Sequence, residues 1–76
     1  MQLKALKYYF GEVEDSQLWM TIYLVLQDGR TIKTQKIFSK NELQELTFPA
    51  EIMIPEELQN FETEIDLAFD EIKFLE

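Results

Sequence analysis

The chain has 76 residues, 46% of them apolar, and a formal net charge of −8. That is enough for one domain with a hydrophobic core and argues against disorder. It has no Cys and no His, which excludes disulfide staples, thiol metal sites, a Cys nucleophile and the commonest general base. A domain this short buries only about 60% of its unfolded surface, which leaves little room to desolvate a catalytic carboxylate. The expectation is a non-catalytic protein with no cofactor and no metal.

Met1 to Phe10 carries Lys4 and Lys7 without a long apolar run, so no signal peptide is expected. No stretch reaches the roughly 18 apolar residues of a membrane span. With Cys absent, a cytoplasmic location is expected. Residues 2–10 predict a first strand with Leu6, Tyr8 and Phe10 on one face by period two, and residues 11–17 read as an acidic connector. Residues 18–27 are apolar on both faces and predict a central strand.

Asp28-Gly29 predicts a two-residue type I′ hairpin turn, returning the chain as a third strand over 30–38. That turn pairs Leu26 with Thr31, Leu24 with Lys33 and Trp19 with Phe38. One face then holds Trp19, Thr21, Tyr23, Val25, Ile32, Thr34, Lys36 and Phe38. The other holds Met20, Ile22, Leu24, Leu26, Thr31, Lys33, Gln35 and Ile37, and is the one expected beneath helices.

Ser39 with Glu42 three residues on predicts a capping box and a short helix through Leu46, ended by Pro49. Residues 48–54 read as extended, with a short strand at Ile52 and Ile54. Pro55-Glu56-Glu57 is a helix-start pattern. Beyond it Leu58, Phe61, Ile65, Ala68, Phe69, Ile72 and Leu75 recur at spacings of three and four, which predicts a long C-terminal helix. A competing reading ends the helix near Asn60, then alternates Ile65, Leu67 and Phe69 into a strand hairpin turning at Asp70-Glu71. The long helix is preferred because Glu, Leu, Ala and Gln dominate the segment. The predicted fold is therefore α+β: one domain, a three- to four-stranded antiparallel meander covered on one face by a short and a long helix.

Charge is split along the chain. Residues 1–40 hold six bases against four acids, a net +2, whereas residues 41–76 hold Lys73 against eleven acids, a net −10. Such a field steers toward basic surfaces. On the predicted long helix Leu67 and Phe74 fall opposite the core stripe with acids around them, as an interface anchor with a charged rim would. The candidate partner-binding residues are Glu56, Glu57, Glu64, Leu67, Asp70, Glu71 and Phe74. Glu62, Asp66 and Asp70 follow a helical i, i+4, i+8 spacing but lack the calcium-loop pattern and its central Gly, and read as a solvated face.

The rings of Trp19, Tyr23 and Phe38 near Lys36, with Arg30 and Lys33 at the turn end, resemble sheets that stack single-stranded nucleic acid. A net charge of −8 opposes phosphate, so direct nucleic-acid binding is not expected. In composition alone the chain resembles nucleic-acid-mimicking inhibitors and nuclease immunity proteins of phages and bacteria. The expected function is a protein-binding module that occludes the basic site of a nucleic-acid-handling enzyme. The alternative is a structural subunit that pairs with itself through its sheet as a homodimer.

Overall fold

The structure, a computed structural model, describes residues 1–14, 19–37 and 39–75, and their side chains except those of residues 12–14. Six strands form one mixed sheet: β1 (Gln2–Glu14), β2 (Trp19–Leu26), β3 (Thr31–Ile37), β4 (Ala50–Met53), β5 (Glu64–Asp66) and β6 (Lys73–Leu75). Their order is β5-β3-β2-β1-β4-β6. β3 and β5 run parallel, and every other neighbour is antiparallel. Helix α1 (Lys40–Gln44) is the single α-helix among the described residues, and 3₁₀ turns occupy Glu56–Leu58 and Phe69–Glu71. This corrects the predicted α+β meander: the sheet has six strands, and the long C-terminal helix is absent.

β2 shows why a sheet forms. Its Met20, Ile22, Leu24 and Leu26 are buried while the residues between them are half-buried, the period-two signature of a strand with one face on a core. It lies between β1 and β3, as predicted. β1 runs longer than predicted and its phase changes. Leu3 and Ala5 point into the core, a register shift falls at Leu6, and Tyr8 and Phe10 rejoin the covered face. Leu6 is left 46% exposed, so it does not share a face with Tyr8 and Phe10.

The β2–β3 hairpin departs from its predicted register by one residue. Gly29 N–H donates to the Leu26 carbonyl at 3.0 Å, Leu26 N–H donates to the Arg30 carbonyl at 2.8 Å, and Gly29 sits at φ +92°. That is a three-residue loop with a left-handed glycine, not the two-residue type I′ turn. Leu24 now pairs with Ile32, Tyr23 with Lys33 and Trp19 with Ile37. A one-residue slip turns every β3 side chain to the opposite face, so Ile32 and Thr34 are buried and Lys33 faces out. The apolar pattern selects this register, because the predicted one places Lys33 and Gln35 beneath the covering layer. The predicted place of Phe38 lies outside the described residues.

The core lies between the sheet and short covering segments. Leu43 of α1, Ile54, Leu67 and Ile72 are buried against it, with Phe48, Leu58, Phe61 and Phe69 packed around them. Ser39 stands at the N-cap of α1 without making a cap bond; the predicted capping box is replaced by an ion pair from Lys36 to Glu42. Past Pro55 the chain makes one 3₁₀ turn, pairs as β5 beside β3, crosses beneath the sheet and ends as β6 beside β4. The strand alternative for this region is nearer, but β5 and β6 lie at opposite edges and form no hairpin. Electrostatics is one contribution against the helix. Glu62, Asp66 and Asp70 would stack at i, i+4 and i+8, and like charges at that spacing destabilise a helix. In the folded chain they are separated: Glu62 precedes β5, Asp66 ends it and Asp70 lies on the second 3₁₀ turn.

Arg30 fastens the hairpin to this C-terminal segment. Its guanidinium donates to Asp28 at 2.7 Å and to the carbonyls of Gln59 and Phe61 at 2.8 and 3.0 Å, and lies 4.2 Å over the Phe61 ring. Partial burial pushes the Asp28 pKa up, but hydrogen bonds from the Arg30 backbone and guanidinium, and the Arg30 charge, bring it below the ordinary value.

Two expectations follow. Leu67 is 8% exposed, so Leu67→Ala should cost about 2–5 kcal/mol; Phe74→Ala, with a half-buried ring, should cost about 2–3 kcal/mol. Urea denaturation measures both, and a change within about 0.5 kcal/mol would return either residue to the role of exposed anchor. A depressed carboxylate pKa gives stability that is present above the unfolded value and is lost as pH falls through the folded one. Arg30→Gln should therefore raise the Asp28 titration midpoint followed by carboxyl carbon chemical shift. An unmoved midpoint would remove Arg30 as the cause.

Candidate functional site

The two sides of the sheet differ in chemistry. On the open face, register places Tyr9, Tyr23, Lys33 and Asp66 in one row across β1, β2, β3 and β5. Tyr9 and Tyr23 stack with ring centroids 4.8 Å apart and planes at 16°, the geometry of a favourable cross-strand aromatic pair. Gly11 makes room for it, since a Cβ there would stand 2.9 Å from the Tyr23 ring and 3.2 Å from the Thr21 Cβ. Tyr9 remains 50% exposed. Charges on this face nearly balance: among the described side chains Lys4, Lys7, Lys33 and Lys73 stand against Glu51, Glu64 and Asp66.

The predicted basic and aromatic cluster is not assembled there. Lys36 turns to the covered side, where it pairs with Glu42 and lies 4.1 Å over the Phe69 ring. The same slip brings Lys33 beside Tyr23, and Arg30 is held at the hairpin.

The covered side is acidic. Glu42 and Glu45 on and after α1, Glu56 and Glu57 on the first 3₁₀ turn, and Asp70 and Glu71 on the second are all exposed. The hydrogen bond from Lys36 comes first in holding the Glu42 pKa below its ordinary value, with the Ser39 hydroxyl adding to it. No three His, Cys, Asp or Glu residues converge as a metal site among the described residues. The acids make a spread field rather than a chelating cluster.

The seven predicted partner-binding residues separate accordingly. Glu56, Glu57, Asp70 and Glu71 lie on the covered side, and Glu64 lies on β5 at a sheet edge. Leu67 and Phe74 are not exposed anchors: Leu67 is core, and Phe74 packs on the core opposite Ile52 with its ring centroid 6.1 Å from that of Phe69. The helical face that was to present them does not exist.

Sequence reading missed a trough beside β3. Two adjoining depressions of about 450 and 430 Å³ share Trp19, Gln35 and Ala68; Asp66 borders one, and Asp70 and Glu42 border the other. Thr34 lines the first, and its hydroxyl oxygen is buried with no hydrogen-bond partner among the described residues. The trough exists because β5 ends at Asp66 while β3 continues to Ile37. The signal for it lay in the hairpin register, which decides which β3 groups face outward. No helix of the described residues is long and apolar enough to cross a membrane. No family model, curated protein or solved structure matches this chain.

Proposed function

We propose that this chain is a small non-catalytic protein-binding module of the cytoplasm, whose acidic covered side engages a basic surface of a partner protein. The observation that carries this reading is the segregation of charge: exposed acids crowd the covering segments, while among the described side chains the open face is near balance. Glu56, Glu57, Asp70 and Glu71 stand on two 3₁₀ turns whose Leu58 and Phe69 are packed on the core, so the carboxylates are carried on anchored backbone. Carboxylates on anchored backbone can stand where phosphates would sit in the basic cleft of a nucleic-acid-handling enzyme. An inhibitor or immunity protein of this kind acts by steric and electrostatic occlusion. Leu67 and Phe74 support the surface from beneath.

The test begins with capture of the partner from source cells at low salt. Its association rate should then fall about tenfold or more between about 0.01 and 1 M salt, where the screening length drops from about 30 to about 3 Å. Reversing Glu56, Glu57, Asp70 and Glu71 to Lys should abolish capture while the melt is kept. A rate that stays flat across salt would sink the reading.

Self-association through the sheet is a second reading, favoured by the open face alone. It is the side of this −8 chain where the described charges come nearest to balance, and Tyr9 is half exposed on it. Two open faces can meet without acid opposing acid, in the two-fold arrangement common to homodimers. Sedimentation at micromolar concentration should then show a dimer that Tyr9→Ser shifts to monomer. A clean monomer at high concentration removes this reading.

A further inference from the structure

β3 pairs with β2 along its whole length, Thr31 through Ile37, but with β5 only at Thr31, Ile32 and Lys33. Thr31 N–H donates to the Thr63 carbonyl, and Leu67 N–H donates to the Lys33 carbonyl at 3.0 Å. Backbone groups alternate between the two neighbours of a strand, so the odd-numbered residues of β3 aim away from β2. The N–H and C=O groups of Gln35 and Ile37 therefore point outward past the end of β5, where no strand of the described residues meets them. Unpaired groups in a row are a template for another strand.

Three further features mark this stretch. Its pairing with β2 has no register shift, whereas the comparable overhang of β1 beyond Ala5 carries two irregularities, the kind that spoil an edge for pairing. The trough lies beside it, with the unpartnered Thr34 hydroxyl in its wall. Ile37 is 58% exposed next to Trp19 on the open face.

We propose that residues 34–37 of β3 form a strand-addition site that takes an extended segment of a partner protein with basic and apolar side chains alternating. The proposal rests on the reading that the partner is basic. A strand laid along Gln35 and Ile37 continues the line of β5. It sets alternate side chains against Trp19 and Ile37 on the open face and toward Asp70 and Glu42 on the covered side, with Asp66 at one end. Lys36 is occupied by Glu42 and Phe69, so Asp66 and Asp70 are left to attract cations. Gln35 and Ile37 offer four backbone groups, so the edge gives orientation and the acids give attraction.

The probe is an acetylated heptapeptide of alternating Arg and Val, added to the full chain at low salt. Amide hydrogen exchange by NMR should slow about tenfold at Gln35 and Ile37 when the peptide saturates, the scale of one backbone hydrogen bond. Gln35→Pro removes one outward N–H and fills the edge, and should weaken peptide binding about tenfold. Should that variant fail to fold, exchange in the unaltered chain still decides. A peptide that binds but protects only amides near Glu56–Leu58 and Phe69–Glu71 overturns the edge and leaves the acidic-surface reading standing. Protection of Gln35 and Ile37 that grows with protein concentration alone assigns the edge to a second copy and overturns the proposal. Absence of peptide binding overturns it also, and the acidic surface is then judged separately by the salt dependence of the captured partner.

Discussion

Burial of Ile32 fixes the phase of β3, and most of what distinguishes the two sides of this protein descends from that phase. With Gly29 at φ +92°, a conformation glycine enters without steric cost, the loop takes three residues and Ile32 enters the core. From there Lys36 is carried to the covered side, where its pair with Glu42 and its place over Phe69 join α1 to the crossing segment. Lys33 is carried to the open face, into the row with Tyr23 and Asp66. The outward backbone groups of β3 fall on odd residues, which lets Thr31 and Lys33 bind the chain on either side of β5. A two-residue loop would reverse each of these together, since a strand cannot be half slipped.

A sheet with one apolar face requires a cover, and here irregular chain supplies most of it. Five residues of α1 and two 3₁₀ turns would be weak by themselves. They are held by what they bury: Leu43, Leu67 and Ile72 in the core, Leu58 and Phe69 at its margin. Arg30 adds a fixed point by donating to two carbonyls of the crossing chain. Residues between these anchors are free to be acidic, because each anchor turns its neighbours to solvent. That explains how a C-terminal half with a net −10 folds at all. Its charges are spread over separate turns and two sheet edges instead of being aligned along one helix.

Much of the sheet was legible in the sequence. β2 could be read from its composition, β4 from Ile52 and Ile54, the start of α1 from Ser39, and the hairpin from Asp28-Gly29. What could not be read was a tertiary choice between two local options. Asp28-Gly29 suits a two-residue or a three-residue loop, and only the burial of Ile32 against the exposure of Lys33 decides between them. Residues 58–75 fit period 3.6 and, in part, period two. The decision came from β3 and β4, whose edges needed partners, and from acids that oppose a helix. The candidate site divided along the same line. Glu56, Glu57, Glu64, Asp70 and Glu71 were legible as exposed because charge seldom lies elsewhere. Leu67 and Phe74 were misplaced because their exposure depended on a helical wheel.

The treatment of sheet edges is uneven. β5 and β6 are three residues each, and very short edge strands are one device against unwanted pairing. Glu64, Asp66 and Lys73 put charge on those same strands, a second device. β1 runs past β4 but is irregular on both sides of residues 7–10, a third. At residues 34–37 of β3 none of the three applies: the strand is regular, Gln35 is neutral, Ile37 is exposed, and the one charge, on Lys36, is turned inward. The other edges of the described sheet carry charge, irregularity or very short strands, and this stretch carries none of them. The opening sits beside a trough bordered by Asp66 and Asp70 and within reach of the acidic turns. Edge and acids lie side by side, one offering backbone geometry and the other a field, and the segment we propose for this site, extended and basic, would meet both.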